Sequence, residues 1–247
     1  MRILNWNTQI ATPRGVNWRF ETIKVVIALR EADIICLTEA YPETMPSGGY
    51  IVTSGLSGWE RHERLGARRV VLWSRNPWTD VDDFGSARLP EGRFVRAVTQ
   101  VYGKAVTVVG MCIPFHNYRY HDSWGEKKLA IWQGAIEYLD ALREDILPQA
   151  RYQERTMLIG DYRLQIPPRT YPYPSMVVNK KREETFTGWS IPTAVDYRAV
   201  GLDKPMVDHI ALTSDFRVRY MDFISRFSTD ILSLSDHNGV CIGVDLP

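Results

Sequence analysis

Apolar and polar positions alternate through Arg2-Ile3-Leu4-Asn5-Trp6-Asn7, which predicts a strand over 2–7, broken by Pro13 and Gly15. The period then changes. Phe20, Ile23, Val26, Ile27 and Arg30 recur at helical spacing and predict a helix over 18–31, with Asn17 as its N-cap. Residues 33–39 are a short, nearly all-apolar strand, and 41–59 read as loop around a short strand at 50–54. Arg68 to Ser74 is a further strand. Residues 94–102 and 104–113 form a hairpin around Gly103-Lys104. The stripe Trp132, Ala135, Ile136, Leu139, Leu142 and Ile146 predicts a helix over 124–147. Ser123 with Glu126 fits a capping box at its start, and Pro148 stops it. A strand at 155–160, a constrained loop at 166–175 holding Pro167, Pro168, Pro172 and Pro174, and strands at 206–213, 216–224 and 239–245 complete the chain.

This order mixes hairpin-type strand pairs with two or three inserted helices, and no internal repeat or domain boundary interrupts it. The expectation is one α+β domain over 1–247, with sheets packed face to face and helices outside. The 247 residues suffice for a large core, and 45% apolar with 24% charged residues is an ordinary globular balance. A net charge of +1 argues against a protein that coats polyanions, though not against an enzyme that meets nucleic acid locally. Cys36, Cys112 and Cys241 lie in apolar runs without the spacing of a disulfide framework or zinc site, so buried free thiols are expected. The chain begins directly in a strand-like segment without a leader pattern, and no apolar run approaches the length of a membrane span. A cytoplasmic protein is the resulting expectation.

Five apolar runs end in groups that bind metal or move protons: Asn7, Glu39, Asp161, Asp208-His209 and Asp236-His237. A buried strand that stops at such a group delivers it rigidly to a sheet edge. The ordered set resembles the endonuclease/exonuclease/phosphatase superfamily, which includes deoxyribonuclease I. Leu4-Asn5-Trp6-Asn7 is similar to the family's opening Trp-Asn motif, and Ile34 to Glu39 to its acidic strand. Gly160-Asp161 resembles the start of its Gly-Asp-Phe-Asn motif, Val207 to Ile210 its Asp-His strand, and Ser235-Asp236-His237 its terminal Ser-Asp-His. The resemblance spans Asn7 to His237. It implies a four-layer α/β/β/α sandwich with the site at one edge of two mixed sheets.

It also implies a divalent-metal-dependent phosphodiester hydrolase, most simply a nuclease on DNA or RNA. Glu39, Asp236 and Asn7 would hold Mg²⁺ (or Mn²⁺), a hard ion that favours such oxygen donors. Asp161 would orient or deprotonate the attacking water, and His237 would contact the phosphate, its ring held by Asp208. Asn5, on the same strand face as Asn7, reads instead as a sheet-edge hydrogen-bonder. Three positions depart from the pattern. Arg163 replaces the motif's Asn and could clamp a phosphate. Cys112 lies where relatives place a His or Tyr, which makes His116 a candidate substitute. Gln9 stands where some members carry an acid. Substrate contacts are expected from Arg163, His116 and Arg119. Basic residues mix with aromatics at 59–73 and 118–121 and favour a nucleic-acid substrate, while Lys180-Lys181-Arg182 form a third basic group. The alternatives are a catalytically impaired member that binds nucleic acid or protein, and a phosphatase of small esters.

Overall fold

The computed structural model describes the chain except for residues 59, 118, 123–124, 129, 167–175 and 230–231, together with the side chains of 60–61, 119–122 and 125–128. Thirteen strands among the described residues form two mixed sheets and a small hairpin. The first sheet joins β1 (Arg2–Asn7), β2 (Ile34–Ala40), β3 (Tyr50–Thr53), β4 (Arg68–Ser74), β12 (Arg217–Ile224) and β13 (Gly239–Asp245) in the order β12-β13-β1-β2-β4-β3. The second joins β5 (Trp78–Asp82), β6 (Phe94–Val101), β7 (Lys104–Cys112), β10 (Thr156–Asp161) and β11 (Asp208–Leu212) in the order β11-β10-β7-β6-β5. Each sheet has a parallel pair at its centre, β1 with β2 and β7 with β10; the other pairs named are antiparallel.

Alternation along the strands builds the layers. Ile3, Ile34, Cys36, Val70 and Leu72 turn inward against Val106, Val108, Met157, Ile159 and Ile210 of the other sheet. Their neighbours Leu4, Trp6, Ile35, Leu37 and Val71 face the other way, onto Phe20, Ile23 and Ile27 of α1 (Trp18–Ala28). On the far side, Val109, Met111 and Leu158 meet α3 (Gln133–Ala141) and α4 (Met176–Thr185), which follow a short α2 (Glu60–Glu63). Two sheets with helices on both outer faces make the four-layer α/β/β/α sandwich. Asn17 caps α1, its Oδ1 accepting from Phe20 N at 3.3 Å.

The expected helix over 124–147 is shorter. Residues Arg119–Asp122 and Gly125–Lys128 pair as the hairpin β8–β9, and the helix runs only from Gln133 to Ala141, continued by one wide turn at Leu142–Ile146. The physical reason lies in the stripe itself, whose apolar positions begin only at Trp132. That residue adopts a left-handed φ of 67° and so interrupts any helix entering from before it. Ser123 of the proposed capping box lies outside the described residues. Strand β5 and helix α4 were not expected. No helix among the described residues is long and apolar enough to cross a membrane. The three cysteines are buried and unbridged, and burial raises the thiol of Cys112 to about 11.

Candidate active site

Strand direction gathers the site. Strands β1, β2 and β10 end at one edge of the sandwich, while β11 and β13, antiparallel to β10 and β1, begin there. Asn7, Glu39, Asp161, Asp208 and His237 therefore converge from five segments. β10 reaches this edge because Gly160 passes close to β7, where a Cβ would lie 1.8 Å from Met111 O. The loop carrying His237 is pinned to β1 by two bonds and braced by one of its own. Ser235 Oγ donates to Asn7 O (2.6 Å), His237 N donates to Ser235 Oγ (3.1 Å), and Trp6 Nε1 donates to His237 O (2.9 Å). Arg19 of α1 adds bonds to Leu234 O (2.6 Å), Thr8 O (2.6 Å) and Gln9 O (2.7 Å).

Asp161 and Asp208 stand directly opposite each other in the β10–β11 ladder, and both are fully buried. Like charges in that relation repel, so each needs its own partner. Asp208 Oδ2 lies 2.5 Å from His237 Nδ1. Burial raises the Asp208 carboxyl to about 6, with the imidazolium opposing. Burial alone would lower His237, but the charges of Asp208 and Asp161 prevail and carry it to about 9. Asp161 Oδ2 accepts from Asn7 Nδ2 at 3.0 Å, and its Oδ1 accepts from the backbone N of Arg163 at 2.9 Å. One ligand atom from each of Asp161, Asp208 and His237 lies within 4.8 Å of the others.

Glu39 is held differently. Its backbone is left-handed, with φ 49°, and its carbonyl accepts from Ile10 N at 2.7 Å. Its Oε1 accepts from Arg69 Nη1 (2.9 Å) and from Arg163 Nη2 (2.7 Å). The same Arg163 guanidinium places Nε 2.6 Å from Asp161 Oδ2 and Nη1 3.4 Å from His237 Nε2. Burial works against the Arg163 charge, but Asp161 and Glu39 outweigh it and raise its pKa. Asp236 projects toward solvent, with Oδ1 shielded, without a hydrogen-bond partner, and 3.8 Å from His237 Nε2. Carboxylate and amide oxygens of Glu39, Asp236 and Asn7 are donors a hard divalent ion favours, and the orphaned Asp236 oxygen is suited to one. The residue types thus fit such an ion, with Glu39 already shared between two guanidinium groups.

The remaining candidates lie elsewhere. His116 sits in the turn after β7, its ring 5.6 Å from that of Trp132. Arg119 begins β8, and its side chain lies outside the described residues. Asn5 is fully buried between the sheets rather than at an edge, its Nδ2 donating to Gly160 O (3.0 Å) and His209 O (3.1 Å). Two members of the third basic group are engaged within the fold: Lys181 pairs with Asp140 at 2.8 Å, and Arg182 is buried with a bond to Gln165 O at 3.1 Å, while Lys180 is exposed. Arg69 and Arg19 were not foreseen in these roles. Arg69 reaches Glu39 only through the β2–β4 pairing, and Arg19 acts through backbone carbonyls, which leave no trace in side-chain motifs.

Neither a protein-family model nor a curated protein matches the sequence. Solved structures match the fold over nearly the full length. The 3′ phosphatase NExo from Neisseria, bound to a product DNA hairpin, is 18% identical with a TM-score of 0.68, covering 99% of each chain. An endonuclease/exonuclease/phosphatase from Bacteroides vulgatus is 15% identical with a TM-score of 0.65, covering 100% of this chain and 98% of its own. TDP2 of D. rerio, complexed with a single-strand DNA product, is 13% identical with a TM-score of 0.63, covering 99% of this chain and 98% of its own. The chain has the fold of the endonuclease/exonuclease/phosphatase, or deoxyribonuclease I-like, superfamily.

Proposed function

We propose that the chain hydrolyses nucleic-acid phosphodiesters with a divalent cation, Mg²⁺ or Mn²⁺. The observation that carries this reading is the meeting of two hydrogen-bonded pairs, Asn7–Asp161 and Asp208–His237, at one edge of the packed sheets. Asp161, oriented by Asn7, accepts the proton of the attacking water. His237, its Nδ1 held by Asp208, presents Nε2 to a phosphoryl oxygen, and Asp208 fixes the ring's orientation. The cation, held by Glu39, Asp236 and Asn7, would supply charge neutralisation on the phosphoryl oxygens. Arg163 would also reach such an oxygen with its fork, and His116 and Arg119, which follow β7 in the chain, would contact the polynucleotide. Likeness to folds solved with DNA products supports nucleic acid as the substrate class.

Plasmid nicking with Mg²⁺ and Mn²⁺ tests this, run beside Asp161→Ala and His237→Ala. Each substitution is expected to lower cleavage on the order of a hundredfold or more. Cleavage untouched by both would sink the mechanism. A second reading, a binding module without activity, is favoured by the engagement of Arg163 with both Glu39 and Asp161. Failure to cleave any member of a panel of phosphate esters, with DNA still bound, would select it. Phosphate release from small esters with DNA left intact would select a phosphatase.

A further inference from the structure

Buried carboxylates need counter-charges, because an unpaired charge away from water is strongly disfavoured. In this site Asp208 has His237. Asp161 and Glu39 share a single group, the guanidinium of Arg163, which contacts one at 2.6 Å and the other at 2.7 Å. Glu39 is also held from β4 by Arg69 at 2.9 Å. Two carboxylates therefore face two guanidinium groups, and the pair is neutral before any ion arrives. A dication approaching Glu39 meets Oε1 already carrying two charge-assisted bonds, with the second oxygen of the same carboxylate beside the two guanidinium charges that make them. We propose that Arg163 is the resident cation of the Glu39–Asp161 pair, and that a divalent ion reaches Glu39 only by displacing it. The proposal rests on the hydrolase reading above, which is what brings a divalent ion to this carboxylate.

The local backbone suits such an exchange. The amide of Arg163 is fixed by Asp161 Oδ1 at 2.9 Å, so the side chain can leave while its main chain stays. The side chain is 22% exposed, against 0% for Asp161, and so has a route to solvent. Its planar fork, once off the carboxylates, remains beside the place where a phosphate would bind. Arg163 would then act first as a competitor of the ion and afterwards as a substrate contact. Metal affinity is set by this residue as much as by the ligands themselves.

The test is a substrate-free titration with Mn²⁺, following free Mn²⁺ by electron paramagnetic resonance. It compares wild type, Arg163→Asn, Arg163→Lys and the double variant Arg163→Asn/Glu39→Gln. Asn tolerates the left-handed φ of 55° at this position better than most residues, so the backbone gains no strain. Arg163→Asn is expected to bind Mn²⁺ about ten- to a hundredfold more tightly than wild type. Arg163→Lys, too compact to span both carboxylates, should fall between them, and the gain should vanish in the double variant. In thermal unfolding, Arg163→Asn should melt below wild type in EDTA and recover more than wild type when Mg²⁺ is added. Equal Mn²⁺ affinity in wild type and both single variants would overturn the proposal, as would a gain that survives Glu39→Gln. A Glu39-dependent gain in a chain that cleaves no ester would sustain this proposal and sink the hydrolase reading.

Discussion

Asp161 owes its position to a neighbour with no side chain. A Cβ on Gly160 would sit 1.8 Å from Met111 O, a backbone atom in the middle of the second sheet that cannot swing aside. The Gly160 φ of 150° is itself one that residues with a Cβ rarely adopt. Gly160→Ala should therefore push β10 from β7, costing about 3 kcal/mol or more, and displace Asp161 from Asn7. Urea unfolding measures the first effect and the cleavage assay the second; stability within about 0.5 kcal/mol of wild type would refute the close-approach argument. Glu39 and Arg163 both hold left-handed backbones, at φ 49° and 55°, and their side chains meet. Such conformations persist where surroundings enforce them, here the bonds from Ile10 N to Glu39 O and from Arg163 N to Asp161 Oδ1.

At the scale of elements, the strands that carry chemistry were legible because each is a buried run with a polar terminus. β1, β11 and β13 lie within residues expected to be strand, and β2 and β10 each run one residue further, to Ala40 and Asp161. Three other features left weaker marks. β5 is an edge strand whose Thr79, Asp80 and Val81 are exposed, so no alternation of burial is imposed on its residues. α4 turns a buried Arg182 and Thr185 toward its neighbours, and its apolar stripe is correspondingly thin. β9 falls inside the expected helix over 124–147, although the apolar stripe that predicts that helix begins only at Trp132. Within the site, carboxylates and imidazoles could be named from motifs, but their partners depend on register and on contacts between elements. Arg19 is such a case. From α1 it binds the carbonyls of Thr8 and Gln9 after β1 and of Leu234 before β13, joining three elements that the site requires. Arg19→Ala should cost about 1–3 kcal/mol and raise amide hydrogen exchange around residues 8–10 and 234–237. Unchanged exchange in both loops would mean that Trp6 and Ser235 suffice to hold them.

For the whole molecule, a buried polar group on the outer, helix-covered face of the second sheet makes stability depend on pH. His209 is fully buried, with Nε2 3.1 Å from Leu164 O and Nδ1 3.0 Å from Thr193 Oγ1. A carbonyl can only accept, so Nε2 carries the hydrogen. The Thr193 hydroxyl, which accepts from Ile210 N at 3.1 Å, is left to donate to Nδ1. The neutral ring is thereby satisfied at both nitrogens. Protonation would set two donors against each other in a dry site, and burial together with the Arg182 charge holds the pKa near about 4, below the ordinary 6.5. With the folded value depressed, the unfolded chain binds the extra proton between these limits. Stability is therefore retained above 6.5 and lost as pH falls toward 4. From pH 7 to pH 5 this one group should withdraw about 2 kcal/mol. Asp208 acts in the opposite sense, since its carboxyl is raised to about 6 and its protonated form favours the folded chain as pH falls. Wild-type melts alone therefore mix the two. The difference between wild type and His209→Gln isolates the first: the wild type should lose about 2 kcal/mol more than the variant between pH 7 and pH 5 in urea titrations. Parallel losses in the two proteins would show that His209 is already protonated in the folded core, and that the Thr193–His209–Leu164 chain of hydrogen bonds is oriented otherwise.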